Sequence, residues 1–492
     1  MGVQRLSRRT LVRAACGAAA LLAASLLAAC GQTAVSTAST SAVHTTSRTA
    51  SLTQGRSSAT STAASAVAAA TSRGTGSTTA STPAAATRAT AAVTALEFMR
   101  PSGSPAEDKA YIAMLSGWSA AYPGSKATFV SAPNANYQAK LLTEIAGGVV
   151  HDVVGLVPGD LTVFASKTAV IPLDQYIARS TTLNKSDFFP AHWADGQYQA
   201  KQFGIPPDGS PVVVAYNADL FQTNSVPAPT AAWTWDDCLK TAQQLTKGSG
   251  GTTTQFGCTF TGGGANLLSF LFANDANVID TTTNTATMDS PHALQVLNYL
   301  GDLNNKYHVN PLPAQMASLG ANAFLAGKVA MVIVNRGALG TVYQTAPFKI
   351  AAAPVPKVSA SGHSGSQITP LQLVIETPNK HPDEAWLLLQ YLASAASQLA
   401  RFTQFGGYPS RRSVANDPKF LASVQPSWVG AEVNQVFAQV ADATGTGFVP
   451  HHPNWSRIND ALNTQLAFLW SGARPADTVA KSAQEQITPL LS

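Results

Sequence analysis

Residues 324–337 read FLAGKVAMVIVNRG. Gly327-Lys328 stands directly before the apolar run Val329–Val334, which ends abruptly at Asn335-Arg336-Gly337. Gly-Lys can announce a phosphate-binding loop or merely open a buried strand. A phosphate loop needs GxxxxGK followed by Ser or Thr, because its glycines let backbone N–H groups approach phosphate and its hydroxyl binds magnesium. Here the first glycine position holds Asn322 and the residue after Lys328 is Val329. Both requirements fail. The stretch reads as a glycine turn and then a buried strand, with polarity returning where that strand meets solvent.

Working outward, the same alternation of short apolar runs and longer helical ones recurs. Thr94–Met99 predicts a strand and Glu107–Tyr122 an amphipathic helix ending before Pro123-Gly124. Ala127–Ser131 predicts a second strand, Ala139–Ala146 a helix capped by Gly147-Gly148, and His151–Val157 a third strand. Strand, helix, strand, helix, strand implies a parallel sheet with right-handed crossovers. Ligands of such open sheets sit beyond the carboxyl ends of the strands. That places Arg100 and Ser102, after the first strand, and Asp160, after the third, among the candidate ligand-binding residues. Further on, Trp233–Asp237 opens a helix through Thr246, Ser290-Pro291 starts another, and Asn379–Ala396 repeats that device with Pro382.

The formal charge of +5 misleads. Eight of the 31 basic residues precede Glu97 and none of the 26 acidic ones does, so the body from Glu97 is near −3. A nucleic-acid binder concentrates positive charge on its folded domain, and this chain does not. Arg5, Arg8, Arg9 and Arg13 precede an Ala/Leu run from Ala14 to Ala29, closed by Leu27-Ala28-Ala29-Cys30-Gly31. This is the layout of an export signal, and the run is shorter than the roughly 20 residues of a spanning helix. LAAC followed by Gly resembles the lipobox of bacterial lipoproteins, which makes Cys30 the lipidation site. Ser7-Arg8-Arg9 resembles a twin-arginine signal, so the twin-arginine and general secretory routes both stay open.

From Gly31 to Val93 the chain is nearly all Ser, Thr, Ala and Gly, without Phe, Trp or Tyr. Such a segment buries too little apolar surface to offset its ordering and is expected to be a disordered tether spanning on the order of 45 Å. Of four cysteines, only Cys238 and Cys258 fall in the body. In an exported domain they are either a disulfide or two separate buried thiols.

Motifs of catalysis are missing. Gly262-Gly263-Gly264 lacks dinucleotide-loop spacing, Gly362-His363-Ser364-Gly365 lacks that of a nucleophile elbow, and His451-His452 has no partner ligands in sequence. No cofactor or metal is expected.

The order of segments resembles that of the extracellular solute-binding proteins, family 1, of ABC importers, which include maltodextrin-binding and other sugar-binding lipoproteins. The resemblance is carried, in the family's order, by YQAKLLTEIAGGVVHDVV (137–154), VIPLDQYI (170–177), FGIPPDGSPVVVAYNADLF (203–221), WTWDDCLKTAQQLT (233–246), FLAGKVAMVIVNRG (324–337), PNKHPDEAWLLLQYLAS (378–394) and GGYPSRRSV (406–414). It implies a two-lobe α/β fold of the type II periplasmic-binding-protein kind, with a hinge and an interlobe cleft. Lobe one would hold about 94–212 and 355–405, and lobe two about 213–354 and 406–492. It further implies a monomer that captures a small solute, most simply a carbohydrate, and delivers it to permease subunits from a membrane lipid anchor. A surface-tethered glycoside-active enzyme and a sensor feeding a membrane receptor are the competing readings.

The same resemblance nominates residues. Asp208 and Ser210 fall where the family places hydroxyl-binding groups, and Asn274 and Asp275 sit in a loop that contributes contacts or a helix cap. Asn335 and Arg336 end the strand that reaches the cleft. Tyr408 follows a glycine pair and closes over ligand or packs in the core. Trp455 precedes the terminal helix where maltodextrin binders set a stacking aromatic, and Trp193 is a second exposed-loop aromatic. Trp235 is expected to pack its own helix. One departure stands out: many relatives end this strand with Gly-x-Trp, and here Asn335-Arg336-Gly337 carries no Trp. Arg336 offers an acidic substrate a partner instead.

Overall fold

The computed structural model describes residues 94–492, apart from residues 104, 135, 250, 251, 321, 405 and 406. The export signal, Cys30 and the Ser/Thr/Ala-rich tether lie outside the described residues.

Two sheets carry the fold. The first has the order Gln372–Val374, Val153–Leu156, Thr94–Pro101, Ser125–Ala132. Its three N-terminal strands run parallel and the strand from residue 372 runs antiparallel at the edge. Parallel strands need cover on both faces, because each crossover leaves a helix against the sheet. One face buries Leu96 and Phe98 against Tyr111, Leu115 and Trp118 of the helix Pro105–Ala121 and Leu388 and Leu389 of the helix Pro382–Leu392. The other buries Met99, Val154 and Leu156 against Tyr137, Leu141 and Phe164.

The second sheet is organised around Ser210–Asn217, eight residues buried throughout. Val329–Asn335 lies antiparallel on one side of it, with Val334 opposite Val213. Ile350–Ala353 and Ser366–Thr369 share the other side. Thr252–Thr259 extends the sheet beyond Val329–Asn335, in parallel. A strand covered on both faces reads as a continuous apolar run: Val212 and Val214 enter one core, Val213 and Ala215 another. Residues 355–369, expected with the first lobe, run with this second sheet: Val355 packs in its core and Ile368 pairs with Pro211. The chain passes between the two sheets near residues 206–210, 369–372 and 401–411, so the fold is two lobes joined by several crossings.

The stretch 324–337 is a strand, as its failure to match a phosphate loop predicts. Gly327 has φ +66°, a left-handed turn that favours glycine, and the Lys328 amide closes back on Ala323 at 2.9 Å. Lys328 is exposed at the strand's start, while Val329, Ala330 and Met331 are fully buried.

Cys238 and Cys258 are free thiols, not a disulfide. Both point into the apolar core of the second lobe, where burial pushes the Cys238 thiol up to about 12 and makes thiolate chemistry unfavourable. Trp235 packs its helix as expected, stacked on Tyr299 with ring centroids 4.3 Å apart. Trp193 departs from expectation. It lies inside the helix Pro190–Asp195, 5% exposed and packed on Phe188, because Pro190 starts a helical turn that rotates it into the first lobe's core. No described helix is long and apolar enough to cross a membrane.

Candidate functional site

The lobes face each other across a cleft with two chemically different ends. At one end, the loop after Val153–Leu156 turns at Gly159 (φ +89°) into the helix Asp160–Ser166. Across the gap, the second lobe's helix Trp455–Trp470, followed by the last helix Ala476–Ile487, begins with its tryptophan. A Cβ at Gly159 would lie 3.1 Å from Trp455 Cδ1, so only glycine satisfies both the backbone angle and the close approach of the indole. Tyr137, Gln138, Asp160, Trp455 and Asn459 line a space of about 320 Å3. Gln138 Nε2 donates to Asp160 Oδ1 at 2.6 Å, while Asp160 Oδ2 is buried without a partner. Burial pushes the Asp160 carboxyl up to about 6, with Gln138 pulling in the opposite direction. Nearby, Asp195 of the first lobe and His451 of the second approach to 3.3 Å, a second contact across the gap.

The other end encloses about 380 Å3 between Arg100, Glu107, Asp208, Ser210, Asn335, Arg401 and Tyr408. Arg100 reaches it because it ends the first strand. It pairs with Glu107 at 2.5 Å and lies over the Tyr111 ring, 4.7 Å from its centroid. Arg401, on the helix Ala395–Phe402, lies over the same ring at 4.9 Å. Its Nη2 donates to Asp208 Oδ2 at 2.9 Å, and the Leu371 amide donates to Asp208 Oδ1 at 2.9 Å. Burial pushes Asp208 up, opposed by the Leu371 amide and Arg100, and pulls Arg401 down to about 9, still cationic at neutral pH. Asn335 caps the following helix through the Ala338 amide at 2.8 Å, and Ser210 Oγ accepts the Arg336 amide at 2.8 Å.

Arg100, Asp160, Asp208, Ser210, Asn335, Tyr408 and Trp455 thus border the cleft, and four other nominated residues do not. Ser102 is exposed and its hydroxyl donates to Asp108, which fastens the loop to the next helix. Arg336 is 2% exposed, because the segment 407–434 folds over the strand end. Its guanidinium donates to Asn434 at 2.7 Å, Gly407 O at 2.6 Å and Ser423 O at 3.0 Å, and stacks on Phe420. No donor face is left for an acidic substrate. Asn274 gives its amide to His292 O and Gln295, and Asp275 turns at φ +52° on the second lobe. A wider surface hollow of about 680 Å3 adjoins Asp275, but one lobe lines it alone and no unpartnered buried polar side chain enters it. Tyr408 is no lid: its ring packs among Phe189, Phe420 and Phe437 and only its unpartnered hydroxyl concerns the cleft. Among the described residues no cluster of His, Cys, Asp and Glu could hold a metal ion.

Arg401, Glu107, Tyr137, Gln138 and Asn459 are cleft residues that sequence reasoning missed. Arg401, Glu107, Gln138 and Asn459 are polar residues on helices, the pattern an ordinary solvated face presents, while Tyr137 reads as the core aromatic it also is.

Residues 102–399 match the family described as bacterial extracellular solute-binding protein. The chain belongs to that family. Its fold is similar to that of the substrate-binding protein Lmo0181 of Listeria monocytogenes, solved with cycloalternan (TM-score 0.69, 21% identity, 81% of this chain and 98% of that one). It is similar also to the GacH receptor of Streptomyces glaucescens, solved unliganded and with acarbose (0.66, 21%, 81% and 99%). The sugar-binding protein MalE of Xanthomonas citri gives a TM-score of 0.70 at 18% identity over 81% and 97%. The comparison with curated proteins finds no match.

Proposed function

We propose that this solute-binding protein is the extracytoplasmic, lipid-anchored component of an ABC importer, that it captures a saccharide between its lobes, and that it has no catalytic activity of its own. One observation carries the saccharide reading. The half-buried indole of Trp455 on one lobe faces the Asp160–Gln138 pair on the other, across an open space. A flat aromatic face suits the apolar side of a pyranose, and a carboxylate beside an amide suits its hydroxyls. The saccharides named with the similar structures support the same reading.

The mechanism follows from where these groups sit. A sugar ring on Trp455 that reaches Asp160 Oδ2 touches both lobes, so it binds the closed arrangement better than an open one. Only that difference in affinity shifts the hinge equilibrium toward the form a permease recognises. The expected chemistry is capture, with the ligand released intact.

A thermal-shift screen of the purified chain against mono-, di- and oligosaccharides, amino acids, polyamines and organic acids tests this. At a hundredfold excess over Kd, a true ligand stabilises the fold by about 2.7 kcal/mol. A shift with a saccharide recovered unchanged supports the proposal. A saccharide broken down during incubation overturns it in favour of an enzyme, and a shift with amino acids or polyamines alone overturns the ligand class. Anchoring is tested separately, since Cys30→Ala should release the protein from membranes.

A further inference from the structure

The arginine end of the cleft has an unusual imbalance of hydrogen-bonding groups. Its two carboxylates are engaged: Glu107 by Arg100 at 2.5 Å, and Asp208 by both Arg401 and the Leu371 amide at 2.9 Å. Its donors are not. Arg100 Nε, Arg401 Nε and Nη1, and the Tyr408 hydroxyl are all buried with no partner. The residues that carry them are 6%, 3% and 0% exposed, so solvent does not fill the deficit. Each such donor left unmade costs about 1–3 kcal/mol, and a ligand that fills it recovers that energy. The two guanidinium groups also share one aromatic neighbour, Tyr111, at 4.7 and 4.9 Å. The Arg100 charge adds to burial in disfavouring the charged form of Arg401, and an anionic acceptor on either guanidinium relieves that.

We infer that this end receives an acidic group, a carboxylate or a phosphate ester, carried by the captured saccharide; the inference rests on the saccharide reading above. Formal charge does not decide it, because Glu107 and Asp208 balance Arg100 and Arg401. Hydrogen-bond polarity does. A carboxylate or phosphate oxygen brings acceptors only and matches a site that lacks acceptors. A sugar hydroxyl brings a donor of its own, for which this end holds no unengaged carboxylate. The added negative charge has an outlet, since burial already pushes Asp208 toward its protonated form. The work expected of Arg336 from its place in the sequence is thereby given to Arg401 and Arg100, while Trp455 holds the neutral part of the ligand at the far end.

Calorimetric titration of the whole chain with matched pairs tests this. Glucose is compared with glucuronate and with glucose 6-phosphate, and cellobiose with the uronic acid made by oxidising its terminal C6. The acidic member should bind about tenfold to a hundredfold more tightly, the range for one charge-assisted contact. The glucuronate and phosphate arms separate the two sources of charge. Arg401→Gln should erase the preference. Because that variant strands Asp208 and risks unfolding, Tyr408→Phe, which deletes one hydroxyl at constant shape, should independently reduce the acid-to-neutral ratio several-fold. Neutral members binding as tightly as their acidic partners would overturn the inference and leave the saccharide proposal standing. Binding of a non-saccharide acid such as citrate, lost in Arg401→Gln, with no pair member bound, would sustain the arginine site and sink the saccharide reading instead.

Discussion

Asp160, buried, and Asp208, partly buried, are both carboxylates of the first lobe's cleft wall, and they differ in what holds them. Asp160 meets a neutral amide, from Gln138, and keeps one oxygen unpartnered. Asp208 meets a guanidinium and a backbone amide, so that each of its oxygens already has a donor. The first end is therefore poised to accept from a ligand's hydroxyls, and the second to donate. A cleft that is an acceptor at one end and a donor at the other fixes which way round a ligand lies, in addition to whether it binds.

Breaking the ionic end should have the largest effect. Arg401→Met leaves the partly buried Asp208 beside an apolar chain, and removing one partner of such a pair costs up to about 3–5 kcal/mol. Urea unfolding should register that loss, and Asp208→Asn in the same chain should recover a substantial part of it. A loss no larger than that of an exposed pair would mean that Arg401 and Asp208 are solvated, and the contrast between the ends would collapse.

The neutral end should show its character through pH. Asp160 is raised from 3.8 to about 6, so the folded protein binds the proton more tightly than the unfolded chain does. Its contribution to stability is complete below pH 3.8 and is lost as pH rises through about 6. Asp160→Asn keeps the oxygen that accepts from Gln138 and removes the ionisation. The variant should match the wild type at pH 4 and exceed it at pH 8 by up to about 3 kcal/mol, read as urea midpoints across pH. A wild-type advantage at pH 8 would show that the carboxylate has a partner there and that the two ends are alike.

This contrast was only half legible in the sequence. Topology dictates that the ends of parallel strands open onto one edge, so Arg100 and Asp160 could be placed from the strand pattern alone. Trp455 came from its place before a terminal helix. Arg336 misled because a polar residue after an apolar strand ordinarily marks the return to solvent. Nothing local reveals that residues 407–434 fold back over it. Arg401 was invisible for the converse reason: on an amphipathic helix it reads as a solvated face, and only the packing of that helix on Tyr111 turns it inward. Local patterns place backbones, whereas a cleft side chain is defined by segments hundreds of residues apart, such as Asp208 and Arg401.

The two remaining tests sharpen the Trp455 end. Trp455→Ala removes the stacking face, and saccharide affinity should fall about tenfold or more by titration calorimetry, roughly the energy of one aromatic contact with its buried area. The half-exposed indole contributes less to the core than to the cleft, so the melting temperature should move little.

Gly159→Ala should have the smallest effect and the most informative pattern. Its φ of +89° strains any side chain, and the new methyl meets Trp455 Cδ1 at 3.1 Å, so the indole must shift. Strain of this kind costs about 1–2 kcal/mol, visible as a modest drop in urea midpoint. The shift matters more than the strain. If Trp455 and Asp160 grip one ligand from opposite lobes, moving the indole weakens saccharide binding even though neither contact residue has changed. The acid-to-neutral preference set at Arg401 should stay as it was, because that end of the cleft is untouched. Loss of both together would mean that the two ends close as a single unit and that a ligand reads them in one step.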